Sequence, residues 1–428
     1  MRLKEGYDIM KDKLKKILEY SLPIYIILNL LYLLIGSYLI RIGIIWVKAF
    51  SYGHIVMLIL SFIISIILIM KDKYKFHKID IFLLLIMILA TISMVFAYKP
   101  EKALFGEWGR YEGLLTICYY MFTLFLCSFV KKEHKKIIVY AILSFGFIQV
   151  VYGLFQKFHL LGIEPVMNYK EEWITGLTMN PNFFGTLMLI CLSYSIGLFM
   201  DDENPILYIG AILLFLIGLL LSNTLSCVIG LIFVLLYLLL YTIKNKYYKK
   251  LFIILGIVLF AFTISHIFGV TRLVNDLVKT KNETVEISKG NVDNDYGTGR
   301  VELWKKTIKV VPKYLLHGVG VDNFANIIDG RAIMRNHKYY DKAHNEYLQI
   351  LVTMGIFSLI SYLCLHFIII KNGIKDSFKN KEVYLLLPVI GYLVQAQFNI
   401  SVIDIAPLFY IGLGLLVERN EKIIKADK

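Results

Sequence analysis

The sequence predicts an all-α fold, a polytopic membrane bundle of about twelve transmembrane helices with a large, partly helical extracytoplasmic loop between helices 9 and 10. Three observations carry the prediction. The 428 residues are 58% apolar and only 18% charged, with a mean hydropathy of +0.66, which is foreign to a water-soluble domain. Apolar runs recur along the chain, most of them long enough for a hydrocarbon core about 30 Å thick. Lysine and arginine alternate from loop to loop in the way that orients membrane helices.

In chain order the runs fall near 22–40, 54–70, 79–98, 114–130, 137–155, 183–200, 206–221, 227–243, 251–268, 347–370, 383–403 and 405–417. Residues 1–21 then form a cytoplasmic basic leader, 22–268 carry helices 1 to 9, 269–346 are an extracytoplasmic loop domain, 347–417 carry helices 10 to 12, and 418–428 are a cytoplasmic tail. The leader, tail and every second loop together hold 26 Lys and Arg, against 7 in the alternate short loops. Both termini are therefore expected in the cytoplasm of a multi-pass inner or plasma membrane protein. The 13 basic residues of the long loop do not count against this, because long loops cross regardless of charge.

The formal charge of +14 belongs to short lysine-rich loops facing the lipid bilayer, so nucleic acid is not a partner. Cys118, Cys127, Cys191, Cys227 and Cys364 all lie in apolar runs without paired spacing, which suggests neither disulfides nor a thiolate metal site. No phosphate-cradling glycine loop followed by Lys-Ser/Thr occurs. Room for a site exists only outside, in 99–113, 156–182 and 269–346.

Six of the eight arginines, Arg41, Arg110, Arg272, Arg300, Arg331 and Arg335, fall on that side. Lysine suffices for orientation; arginine adds a planar fork for phosphate oxygens, which makes the outer arginines candidates for a phosphorylated lipid. Arg110 sits in GEWGRYEG, where Trp108 and Tyr111 suit the head-group level and the glycines permit close backbone approach. The plainer alternative is a local ion pair with Glu107 or Glu112.

Arg300 opens GRVELWKKTIKVVP, a helix with Thr298 as its cap and Pro312 as its stop. Trp304, one turn on, can stack on the guanidinium, and a helix N-terminus beside it favours an anion. An amphipathic helix lying on the membrane is the other reading.

His344 lies in DKAHNEYLQILVTMG, where the tenth run begins. With Asp341 as N-cap it falls in the first turn, whose positive end disfavours a second charge on the ring. A neutral imidazole at the outer boundary can act as a general base, although most lone histidines merely pack. Asp293 and Asp295 flank Asn294 in a turn-rich stretch better read as a solvated loop than as a metal site, so neither a metal nor a cofactor is expected.

Five stretches, GRYEGLLT at 109, TGLTMNPNFFGTLM at 175, GTGRVELWKKTI at 297, HGVGVDNF at 317 and KAHNEYLQILVTMG at 342, together resemble the O-antigen ligase and O-antigen polymerase family of bacterial envelope glycosyltransferases. The last resembles the ligase pattern of His-Asn followed by nine residues and Gly, here His344, Asn345 and Gly355. The resemblance implies a membrane enzyme that passes a glycan from an undecaprenyl-diphosphate carrier to an acceptor hydroxyl on a glycan, lipid or protein, with inversion and without a metal. It also implies that Arg110 and Arg300 bind phosphate and that His344 is essential; Glu112, Asn180, Asn182, Trp304 and Asn345 complete the set as candidate substrate-contacting residues. Asn180 and Asn182 are equally readable as turn chemistry before the sixth run. The sequence departs from the family where many relatives carry an arginine beside a serine: Ser222 to Ser226 reads Ser-Asn-Thr-Leu-Ser. A lipid-linked oligosaccharide flippase or other carrier shares the layout, but ion-coupled carriers place carboxylates in mid-membrane and these runs hold none in their interiors.

Overall fold

A computed structural model describes residues 2–71, 74, 76–107, 109–168, 171–202, 205–267, 272–291, 293, 296–328 and 341–419. Those residues are overwhelmingly helical. The helices are α1 Arg2–Arg41, α2 Val47–Lys71, α3 Lys78–Val95, the short α4 Pro100–Phe105, α5 Leu114–Cys127 and α6 Lys132–Lys157. A small antiparallel hairpin, β1 Val166–Asn168 with β2 Glu171–Trp173, precedes α7 Pro181–Asp201. There follow α8 Ile206–Leu221, α9 Leu225–Asn245, α10 Tyr248–Ile267, α11 Arg272–Ser288, α12 Arg300–Tyr314, α13 Glu346–Met354, α14 Ile356–Asn380, α15 Val383–Gln395 and α16 Ala406–Leu415.

Among the described residues eight helices are long and apolar enough to cross a membrane, within α1, α2, α3, α6, α7, α9, α10 and α14. Four shorter apolar helices, α5, α8, α15 and α16, fall at four further predicted runs. Large apolar side chains line the outside of the bundle, for instance Ile59 and Phe62 on α2, Ile88 on α3 and Phe252 and Leu259 on α10. Such a surface is stable against lipid and not against water. The apolar stretch of α7 is wholly enclosed and packs along α8 and α15, so α7 is the axis of the bundle.

The tenth predicted run, 347–370, is not one helix. It breaks at Gly355, where φ is 86° and ψ 173°, into α13 and α14. A break inside a bundle frees backbone groups that must find partners within the protein. The segment after α12 supplies them: Val319 N donates to Val352 O at 3.0 Å, Gly320 N to Thr353 O at 3.1 Å, and Ile356 N to Leu315 O at 2.7 Å. A Cβ on Gly318 would lie 2.1 Å from Thr353 O, and one on Gly355 2.5 Å from Leu316 O. The Gly-x-Gly stretch and Gly355, far apart in sequence, are thus two sides of one contact.

Both ends of the bundle are polar. One gathers Arg41, 98–112, 152–180, 296–328, 341–345 and 396–404; at the other, 74–80, 128–136, 201–208, 237–250, 377–384 and 419 meet. The long predicted loop contributes α11, two 3-10 turns and α12 to the first of these ends.

Candidate active site

Three segments converge at that first end. The stretch between α4 and α5 brings Arg110 and Glu112, the turn after α12 brings Asp322, and the approach to α13 brings Asp341, Lys342 and His344. Arg110 Nε donates to Asp341 Oδ2 at 2.6 Å, with Nη2 3.5 Å from Oδ1. Its guanidinium also lies 5.6 Å from the centre of the Phe183 ring, on the first turn of α7. Glu112 does not pair with Arg110, its neighbour in sequence; Glu112 Oε2 pairs with Lys342, while Oε1 accepts from Tyr120 at 3.0 Å and Ser401 at 2.7 Å. Lys342 reaches Asp322 Oδ1 as well, at 3.2 Å, and Asp322 Oδ2 accepts the Glu107 backbone N–H at 2.6 Å. The carboxylate that meets Arg110 is thus a distant one, and the local pair with Glu112 weighed as the alternative does not form. Glu107 pairs with Lys102 and Glu112 with Lys342, whereas Asp341 is delivered to Arg110 by the fold.

The approach to α13 also differs from the expected cap. Asn345, not Asp341, caps the helix, its Oδ1 accepting Leu348 N–H at 2.9 Å. His344 stands just before the helix with φ 49°, in the left-handed region. Tyr111 and Asp322 adopt the same conformation at 52° and 53°, so each of the three converging segments carries one such residue. Each costs on the order of 1 kcal/mol, which the surrounding contacts must hold in place.

Similarly, α12 starts at Arg300 with Gly299 (φ 86°) as its cap, in place of Thr298, and runs through Pro312 to Tyr314. Trp304 Nε1 donates to Ala343 O at 2.9 Å, which seats α12 against the residue before His344. Its ring lies 6.4 Å from that of Phe398. Arg300 Nη1 donates to Gly297 O at 3.4 Å. Asn180 caps α7, its Oδ1 accepting Asn182 N–H at 2.9 Å, and Thr186 Oγ1 donates to Asn182 O at 2.8 Å. Turn chemistry thus occupies the Asn180 side-chain oxygen, and the Asn-Pro-Asn element touches the site through Phe183.

The charges are strongly coupled. Burial disfavours protonated His344, and the nearby Arg300 disfavours it further, so its pKa falls to about 3 although Asp341 pulls the other way. The ring is neutral, as the sequence suggested, but because of burial and arginine rather than a place in the first helical turn. Burial opposes the charges on Arg110 and Lys342, yet their carboxylate partners outweigh it and raise both. Burial also opposes the Asp341 charge, and Arg110 more than offsets it, holding the carboxyl below the usual range. Burial raises Asp322 despite Lys342.

Trp108, Asp295, Arg331, Arg335 and His337 lie outside the described residues, as do the side chains of Arg272 and Thr298. Asp293 is exposed. Sequence reasoning passed over Asp322, Lys342, Glu346 and Ser401. The first three stand inside quoted motif strings, where a charged residue beside glycine or His-Asn was the available signal. Ser401 had none. Below the charged cluster lies a cavity of about 70 Å³, walled by Glu112, Lys342, Glu346, Gln349, Tyr362 and Ser401 together with apolar groups of α3 and α5. Glu346 accepts from Tyr362 at 2.6 Å and Tyr392 at 3.2 Å there.

Fold and site define a class: a multi-pass, all-helical membrane protein with a charged, arginine-bearing site at one end of its bundle. Residues 210–363, from α8 into α14 and including Arg300, Trp304, His344 and Asn345, match the family model described as O-antigen ligase. That match supports the O-antigen ligase family and with it a membrane role in glycan transfer or polymerisation. No curated protein matches the chain.

Proposed function

We propose that the protein is a membrane glycosyltransferase of the O-antigen ligase type. In this reading it transfers a glycan from an undecaprenyl-diphosphate carrier to an acceptor hydroxyl, with inversion, without a metal and on the extracytoplasmic face. The supporting observation is the convergence of Arg110 and Arg300 on one histidine: Arg110 pairs with Asp341, three residues before His344, and Trp304, one turn after Arg300, donates to Ala343, the residue before it. The acceptor oxygen attacks the anomeric carbon, the bond from that carbon to the diphosphate breaks, and the electron pair leaves with the diphosphate. Guanidinium groups already in place stabilise the departing charge without reorganisation. His344 takes the proton of the acceptor hydroxyl.

An imidazole held near a pKa of 3 is a weak base in the unloaded site. A bound diphosphate places negative charge beside Arg110 and Arg300 and thereby cancels part of what holds the ring down. His344 becomes a stronger base when the donor is present. Whether the acceptor is another lipid-linked repeat, making the protein a polymerase, or a lipid, wall or protein hydroxyl, making it a ligase, follows from the acceptor and not from this chemistry.

Purified protein reconstituted in liposomes with undecaprenyl-diphosphate glycan and no ATP tests the reading. New glycosidic bonds support transfer. Movement of the lipid between leaflets without new bonds would make it a flippase, and neither result would leave an envelope scaffold.

A further inference from the structure

Arg110 and His344 belong to segments separated by more than 200 residues, and the structure shows what registers one against the other. Two ion pairs of reversed polarity join them, Arg110 with Asp341 and Glu112 with Lys342. Positive then negative along one segment faces negative then positive along the other, so sliding the segments would bring like charges together. The two pairs differ in depth. Glu112 and Lys342 are no more than 5% exposed, as is Asp322, which ties Lys342 to the backbone at Glu107. The Arg110 and Asp341 side chains are 24% and 15% exposed, nearer the mouth.

Asp341 meets Arg110 on the Nε side, at 2.6 Å, and approaches Nη2 less closely. A carboxylate on that edge fixes the plane and direction of the guanidinium and turns its Nη1 side away from Asp341. Phe183 backs the same group. We propose that Asp341 is a positioning residue for the diphosphate of the lipid donor: it presets Arg110 to meet phosphate oxygens, with the buried Glu112–Lys342–Asp322 cluster as its anchor. This rests on the function proposed above.

A carboxylate on a phosphate-binding arginine could instead compete with the phosphate, and the two roles give opposite signs. Full-length protein is titrated with undecaprenyl diphosphate in detergent, with thermal unfolding as a check on folding. Presetting predicts that Asp341→Asn weakens binding about tenfold, the scale of one charge-assisted contact, and that Asp341→Glu recovers most of the loss. In an Arg110→Ala background, changing Asp341 to Asn or Glu should produce no further loss, because Asp341 acts through Arg110. If Asp341→Asn alone does not fold, the double variant with Arg110→Ala, which removes both charges, still decides: binding equal to that of Arg110→Ala supports the proposal, and binding tighter or weaker than that overturns it. Tighter or unchanged binding by Asp341→Asn, or an equal loss with and without Arg110, overturns the proposal. Failure of the unaltered protein to bind undecaprenyl diphosphate would instead strike the functional reading itself.

Discussion

Arg110 and Arg419 mark opposite ends of the bundle and use the same side chain in different ways. Every nitrogen of the Arg419 guanidinium is engaged: Nε donates to Ser128 Oγ at 2.6 Å, Nη1 to Tyr74 at 3.2 Å and Asp80 at 3.1 Å, and Nη2 to the second oxygen of Asp80. Its guanidinium stacks 4.1 Å from the centre of Phe129 and 4.8 Å from that of Phe125. Asp80 meanwhile closes the N-terminus of α3 in a capping box with His77. This arginine is a structural clamp between the end of the described chain, α3 and α5. Arg110 is held on one edge by one carboxylate, in a region where the cations Arg110, Arg300 and Lys342 all weigh on a neutral histidine. An arginine engaged at every nitrogen stabilises a fold. One aimed from a single edge, among strained backbone and coupled charges, suits an anionic ligand.

The contrast is broken most directly at the site end. Arg300→Ala and His344→Gln should each reduce glycan transfer by about 100-fold or more, the usual scale for a charge-stabilising donor or a general base. Membrane abundance and thermal stability, measured alongside, should stay close to those of the unaltered protein. The opposite pattern is expected at the other end. Arg419→Ala leaves Asp80 buried without its partner and should cost about 3 kcal/mol of stability, seen as a lower unfolding midpoint and less protein in the membrane. Transfer per folded molecule should change less than about twofold, because Arg419 lies at the end of the bundle opposite the site. A fall in specific activity as large as that of His344→Gln would erase the distinction between the two ends.

Gly355→Ala probes the joint beneath the site. The positive φ and the nearby Leu316 carbonyl together predict a loss of about 1–3 kcal/mol, with activity falling in step because α13 is capped by Asn345 and directly follows His344. The smallest effect is in pH. A base must be deprotonated to act, so activity falls below its pKa. With His344 near 3 in the unloaded site, kcat/KM should be flat from pH 7 down to about pH 5 as far as this group governs it. The acid limb of kcat, which reports the loaded site, should lie at higher pH. Coincident limbs near the ordinary histidine value would show that the arginines do not tune the ring.

Much of the helix plan could be read from the sequence because a membrane helix is a local property: length, apolarity and flanking lysine suffice. The motif strings likewise named residues that the fold gathers, among them Arg110, Arg300 and His344. The break at Gly355 was not legible, since nothing local distinguishes a glycine in an apolar run from one that ends a helix; its cause is the 315–320 backbone. Asp341 looked like a cap because it precedes a helix, and its real partner, Arg110, lies 231 residues away. Glu107 and Glu112 were the nearby alternatives for Arg110, whereas the Glu112 carboxylate serves Lys342. Charged pairings of this kind are set by tertiary proximity, which sequence spacing does not reveal.

Arg110, Arg300 and His344 are proposed to perform one transfer reaction at one site. In proteoliposomes containing undecaprenyl-diphosphate glycan and an acceptor, new glycosidic linkages are counted by mass spectrometry for the unaltered protein and for His344→Gln at equal protein load. Linkages formed by the former and lost in the latter are the predicted result. Equal formation by both proteins would contradict it.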